Sequence, residues 1–597
     1  MGRVYMVRGV LQRPAKTPAI FSGYLVLLLS LYLSLPLARA DDQALTVYVA
    51  KKIITMDPTN PVAAAVAVRG NRIVSVGSLE DLTPWLEAHP HRIDEQFKDK
   101  ILMPGLIDPH LHPLLGAIQF GTTWITPEPW SLHDAEVPAA TTPEQYLTLL
   151  KQALADDRGS ETPIFMTWGW QESDHGPVTR AMLDEMSPYR PVMVWQRSVH
   201  EAVFNTAAID YMKLTEADVA DFSQSEVDWK NGHFVEAGFF EGILPRLAPY
   251  ILSPTFVNAG FDRNTEYLIS GGITTIADLS TGQVDWDLEL GTFKTNLIDK
   301  KVPYRTVIIP GAHTLALTKG GLDASFKLID DYLASDAPAP QLVHGKRIKL
   351  FADGAMFSQQ MQLTAPGYID GHEGEWITPK EEFEAQARKY WNEGYRIHVH
   401  ANGDEGIRYT LDVFEKLQAE TPRGPNSLVI EHFGYADDYV IRRIADLGAT
   451  VSANPYYLTG LGDSYAKVGL GPDRARRITP LAGLVDRGVP IALHSDFGMA
   501  PARPLYLAWS AITRETLSGK SFAPPRGLTR DEALKAITTD AAHILGLEQD
   551  IGSIQSGKLA DFTVLEEDPT TVPISALKNM KIWGVVFEGD VRKAVTK

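Results

Sequence analysis

Hydrophobic positions along this 597-residue chain follow two patterns. Near both ends, apolar and polar residues alternate, the mark of strands with one buried face. Thr46-Val-Tyr-Val-Ala50, Ile53-Ile54 and Ile73-Val-Ser-Val76 show it around the turn Gly70-Asn71, and residues 560–565 and 582–587 repeat it. The matching sets predict one small β-sandwich module built from residues 41–103 and 547–597. Between them, short apolar runs alternate with longer helical stretches. The runs cover residues 106–110, 274–278, 304–309, 348–352, 396–400, 428–432, 450–454 and 491–495. Eight strands alternating with helices predict an α/β fold, a (β/α)8 TIM-like barrel spanning 104–546, with a long insertion after its first strand at about 113–270.

The first forty residues stand apart. Arg3, Arg8, Arg13 and Lys16 precede an apolar run from Tyr24 to Leu37, and Ala38-Arg39-Ala40 supplies a small-residue cleavage site. This is the pattern of a signal peptide cut after Ala40, which predicts a periplasmic or secreted protein with no membrane attachment once cut. An uncleaved anchor is the competing reading. Formal net charge is −18, and the leader carries only basic charges, so the mature chain is more acidic still. Such a chain is a poor match for nucleic acid. Its expected partner is a small molecule, and the oligomeric state stays open, an oligomer included. The chain has no cysteine, which excludes disulfides and thiolate ligands and leaves nitrogen and oxygen to hold any metal.

In a barrel the chemistry sits at the C-terminal strand ends, and polar residues collect there. The first strand runs into His110 and His112, whose side chains leave one face and suit a metal. His89 and His91 share the spacing but surround Pro90, and are read as a solvated loop. The fourth strand carries Lys349 and precedes Asp353, the fifth ends in His398 and His400, and the sixth ends in Glu431-His432. The eighth leads to His494-Ser495-Asp496. So many coordinating groups on one rim would be a costly plain core.

These residues resemble the metal-dependent amidohydrolases, specifically the family-3 branch, over nearly all of Thr46 to Asp568. The marks are Pro-Gly-Leu-Ile-Asp-Pro-His-Leu-His (104–112), Lys-Leu-Phe-Ala-Asp-Gly (349–354), His-Ala-Asn-Gly-Asp (400–404), Glu-His (431–432), Ser-Asp (495–496) and Gly-Ser-Ile-Gln-Ser-Gly-Lys-Leu-Ala-Asp (552–561). The resemblance implies a divalent metal centre of two ions, zinc by default for such ligands. His110 and His112 would serve one ion and His400 and His432 the other, with Asp496 completing the set and a carbamylated Lys349 bridging them. His398 and His494 are read as packed interior residues and Asp404 as a helix cap.

The implied activity is hydrolysis of a non-peptide C–N bond in a small molecule (an amide, N-acyl or cyclic amide), with metal-activated water and Asp496 as proton shuttle. Deaminases of the same superfamily usually carry a glutamate three residues after the fifth-strand histidine, where this chain has Gly403. In the insertion, Trp170, His200 and Asn205 resemble the family's Gly-Trp and His-to-Asn motifs, which implies substrate contact for all three. The alternative from another class is a non-catalytic envelope protein that uses the barrel to bind a ligand or regulate.

Overall fold

The structure, a computed structural model, describes residues 44–157, 162–335, 337 and 339–595. The predicted signal peptide, with its cut after Ala40, lies outside the described residues. Among those described, no helix is long and apolar enough to cross a membrane.

All eight internal strands form: β1 (Leu106–Leu111), β2 (Ile273–Thr281), β3 (Arg305–Pro310), β4 (Arg347–Phe351), β5 (Arg396–Ala401), β6 (Leu428–His432), β7 (Thr450–Ala453) and β8 (Ile491–Leu493). They are buried, mostly β-branched or aliphatic runs, as parallel strands covered on both faces should be. Amphipathic helices follow several of them. Asp404–Glu420, after β5, buries Ile407, Leu411, Phe414 and Leu417, a spacing that keeps one helical face on the sheet. Asp438–Leu447, after β6, starts where the Asp437 side chain accepts from Val440 N and stops at Gly448, whose φ is +70°, the backbone a C-terminal glycine permits.

The pairing differs from a continuously hydrogen-bonded barrel. β1, β2 and β3 form one parallel arc and β4 to β8 a second. Leu342 and Val343 pair with Thr306 and Val307, so a short strand occupies the edge of β3 where β4 would pair. One parallel bridge, Gly311 to Lys349, joins the arcs at that side. At the other, β8 is only three residues long, and the main link is Asp496 N donating to His110 O at 2.9 Å. Ile107, Leu279 and Val307 of the first arc nonetheless share a buried cluster with Val429 and Ala492 of the second.

The chain ends build one seven-stranded sheet in the order 590–593, 582–587, 562–565, 91–104, 45–54, 62–69, 72–77. The sandwich expected from alternation is not what covers it. Leu82 and Leu86 of helix Leu79–Leu86 pack with Leu45, Val47, Ala65 and Ala67, so a helix takes the place of a second sheet there. The stretch between β1 and β2 forms its own six-stranded sheet, including Phe165–Trp170, Val192–Gln196 and Glu201–Phe204.

Candidate metal centre

The C-terminal strand ends bring the predicted residues together. His110 is the penultimate residue of β1 and is 1% exposed. His112, with a side chain 29% exposed, directly precedes helix Pro113–Phe120. Asp496 stands just past β8 with its carboxylate 3.5 Å from His112 Nε2, 3.9 Å from His110 Nε2 and 3.7 Å from His432 Nδ1. The rings of His400 and His432 lie 4.3 Å apart, centroid to centroid. Both Asp496 (φ +50°) and His432 (φ +73°) have left-handed backbones, which side chains adopt at a cost and mostly where function over-determines them.

The donor set suits a divalent metal. One ligand atom from each of His110, His432 and His494, and likewise from each of His110, His112 and Asp496, lies within 4.8 Å of the others in its group. Nε2 of His432 and Nε2 of His494 are buried without a hydrogen-bond partner, an expensive condition that a coordinated cation relieves. Their Nδ1 atoms are engaged: that of His494 lies 2.8 Å from Ser452 Oγ and that of His432 lies 3.3 Å from the Tyr457 hydroxyl. A histidine pinned through one nitrogen presents the other to a metal.

Lys349 sits among these rings, 1% exposed, with Nζ lacking a hydrogen-bond partner. Burial lowers it to about 8, against the pull of Glu431 and Asp496. Burial also drives His110, His398, His400, His432 and His494 well below the ordinary histidine value, and the Lys349 charge contributes to every one of these shifts. His112 runs the other way. Burial depresses it, but Asp278 and Asp496 outweigh burial and raise it.

His398 is an interior residue, as expected, with Nδ1 2.6 Å from Glu431 Oε1. His494 is interior too, yet converges with the ligand group. Asp353 does not pair with Lys349; it accepts from the backbone N–H groups of Gln362, Asn402 and Gly403 at 2.8–2.9 Å. Asp404 does not cap its own helix, because Thr364 N and Oγ1 donate to it. His91 opens a strand, Leu45 pairing beside it, and is not in a loop.

The insertion residues part ways. His200 is half-buried, its Nδ1 2.9 Å from Glu236 Oε2, and its charge acts on His400. Asn205 has nothing left for a substrate. Its Oδ1 accepts from Val192 N and Ala208 N, both at 2.9 Å, and its Nδ2 donates to the carbonyls of Ser187 and Arg190, both at 2.8 Å. It caps helix Thr206–Tyr211. Trp170 is 1% exposed, donates to Gly176 O and packs with Tyr146 and Phe165, so it is core of the insertion and not a pocket wall.

Sequence reading put Glu431 on the rim without giving it a role, and missed Tyr457 and Asp278. Glu431 accepts from two histidines, Tyr457 flanks His432, and Asp278 Oδ1 lies 3.7 Å from His112 Nδ1. Asp278 was findable, since it closes the second predicted strand on the same rim.

A mixed α/β fold with histidines and a carboxylate converging at parallel strand ends is an arrangement that can hold a divalent metal. The amidohydrolase family model matches residues 97–592, and the chain belongs to that family of enzymes. It is 24% identical over 553 residues to the N-substituted formamide deformylase of Arthrobacter pascens, covering 90% of this chain and 96% of that one. It is 25% identical over 535 residues to the Arabidopsis thaliana protein LONG AFTER FAR-RED 3, covering 86% and 85%. Among solved structures, an uncharacterized metal-dependent hydrolase from Pyrococcus horikoshii OT3 superimposes with a TM-score of 0.69 at 20% identity, over 89% of this chain and 99% of that one.

Proposed function

We propose that this enzyme hydrolyses a non-peptide C–N bond, in an amide, N-acyl or cyclic amide, with Asp496 as the proton carrier. The observation that carries the reading is the position of the Asp496 carboxylate, within 3.9 Å of His110, His112 and His432 at once and itself 15% exposed beside the 29% exposed His112. His110, His112, His400, His432 and Asp496 would hold two divalent ions, zinc by default, with Lys349 as a bridging carbamate. Metal bound there would acidify water and polarise the substrate carbonyl.

The rest falls to the chain. Asp496 accepts the proton of the attacking water and returns it to the departing nitrogen, so that amide and water become acid and amine. Lys349, with no hydrogen-bond partner at Nζ and lowered to about 8, has a substantial neutral fraction near pH 8, the form able to add carbon dioxide. His200, held by Glu236, orients the substrate. Likeness to the Arthrobacter deformylase makes N-substituted formamides the first substrates to try.

We also read the two arcs as one (β/α)8 barrel over 104–546, and the leader as an export signal. Amino-terminal sequencing of the mature protein should begin at Asp41. The functional test is release of amine from a panel of formamides, N-acyl amines and cyclic amides, by native protein and Asp496→Asn. Turnover lost in the variant with metal retained supports the role. Full activity in the variant overturns it, and no turnover by native protein on any class favours a ligand-binding role.

A further inference from the structure

The loop that carries Asp496 is held from the far side by a residue of the insertion. Arg197 follows strand Val192–Gln196 and is 1% exposed. Its guanidinium faces the rings of Trp168 at 4.7 Å, Phe357 at 5.2 Å and Trp130 at 5.3 Å. Glu128 Oε1 accepts from its Nη2 at 2.6 Å and from its Nε at 2.8 Å. The remaining donors go to backbone: Nη1 donates to Gly498 O, and Nη2 donates also to Met499 O at 3.0 Å.

Those two carbonyls belong to a turn that must be held in place. Asp496 and Gly498 are both left-handed, at φ +50° and +78°, and the first is not a glycine. Met499 N closes the turn on Asp496 O at 2.6 Å. A Cβ on Gly498 would lie 2.3 Å from Gln119 Nε2, so the turn is pressed against helix Pro113–Phe120, next to His112. An apolar side chain at 197 would fill the aromatic cage but leave both carbonyls without this donor and the buried Glu128 carboxylate with only the Trp130 indole N–H, at 3.2 Å. A lysine would bring one point charge where the planar fork reaches a carboxylate and two carbonyls together.

We propose that Arg197, itself fixed by Glu128, is the positioning residue for Asp496: by gripping Gly498 and Met499 it holds the left-handed turn that aims the Asp496 carboxylate at His110 and His112. The catalytic part of this rests on Asp496 being the proton carrier. Arg197 stands three residues before His200, so one short segment of the insertion carries both the grip on the proton carrier and the histidine tied to Glu236.

The test uses zinc-loaded, full-length Arg197→Lys and Glu128→Gln. In Arg197→Lys, amide hydrogen exchange at residues 497–499 should speed up about tenfold or more, while exchange in β5 and β6 stays native. With a hydrolysed substrate in hand, kcat should fall about 30- to 100-fold with KM within about threefold, as misplacement of a reacting group predicts, and the acid limb of the kcat–pH profile should move. Glu128→Gln should show the same changes, smaller. Native exchange at 497–499, or a lowered melting temperature with kcat and pH profile intact, would overturn the proposal. If Arg197→Lys does not fold, Glu128→Gln decides by the same criteria. If the native enzyme hydrolyses nothing tested, the C–N reading falls, and exchange at 497–499 alone decides whether Arg197 holds the turn.

Discussion

Glu431 Oε2 lies 2.8 Å from His110 Nδ1, with both residues at most 1% exposed. Its other oxygen lies 2.6 Å from His398 Nδ1. One carboxylate thus fixes two rings, and with Nδ1 of His110 donating, Nε2 is left to face Asp496 and any metal. Glu431→Gln keeps the shape but replaces one of the two oxygens that face His110 and His398 with an amide donor. Its zinc affinity, measured by competition with a chelator, should fall about 10- to 100-fold, with unchanged circular dichroism. Native affinity would mean that His110 needs no such partner.

Asn205 separates a structural role from a substrate role. Asn205→Ala takes the acceptor from Val192 N–H and the amide donor from the Ser187 carbonyl and removes a helix cap, which should cost about 2–4 kcal/mol in urea unfolding. KM of the folded enzyme should not change. A shifted KM at native stability would return Asn205 to the substrate site.

His200 should behave in the opposite way. It is half-buried, acts on His400 and is tied to Glu236 through a single nitrogen. His200→Ala should lower kcat/KM about tenfold or more and leave the melting temperature within about 2 °C of native, as for a surface change. Unaltered kinetics would reduce His200 to a contact between the insertion and its own Glu236.

The sheet of chain ends gives a pH prediction. Lys52 Nζ lies 2.7 Å from Asp568 Oδ2. Burial tends to raise Asp568, but Lys52 and Thr570 outweigh it and hold the carboxyl below its ordinary value of 3.8. A carboxyl depressed on folding stabilises the protein above the unfolded value, and that contribution disappears as pH falls through the folded one. Native protein should therefore lose stability below about pH 4 more steeply than Asp568→Asn, in denaturant titrations between pH 6 and pH 3. Parallel curves would show that the pair contributes nothing.

What the sequence displays follows from the range of the interactions. β6 is predicted over 428–432 and found there, because a strand buried on both faces must be a continuous apolar run. His110, His112, His432 and Asp496 are legible because strand ends and spacing are local features. The long strand His91–Pro104 hides behind polar residues, since seven of its first eight positions are not buried, and its place between 45–54 and 562–565 is set by pairing across most of the chain. Arg197 is hidden for the same reason: its partners lie 69, 301 and 302 residues away. Asn205 and Trp170 are ambiguous in sequence because a polar or aromatic residue in a motif looks the same whether it faces a ligand or serves its own core.

The most direct test of the central claim is metal content by elemental analysis of the purified protein, beside Lys349→Ala. Two ions per chain, falling to one or none in the variant, is the predicted result. No bound metal after zinc loading and removal of excess would contradict the account.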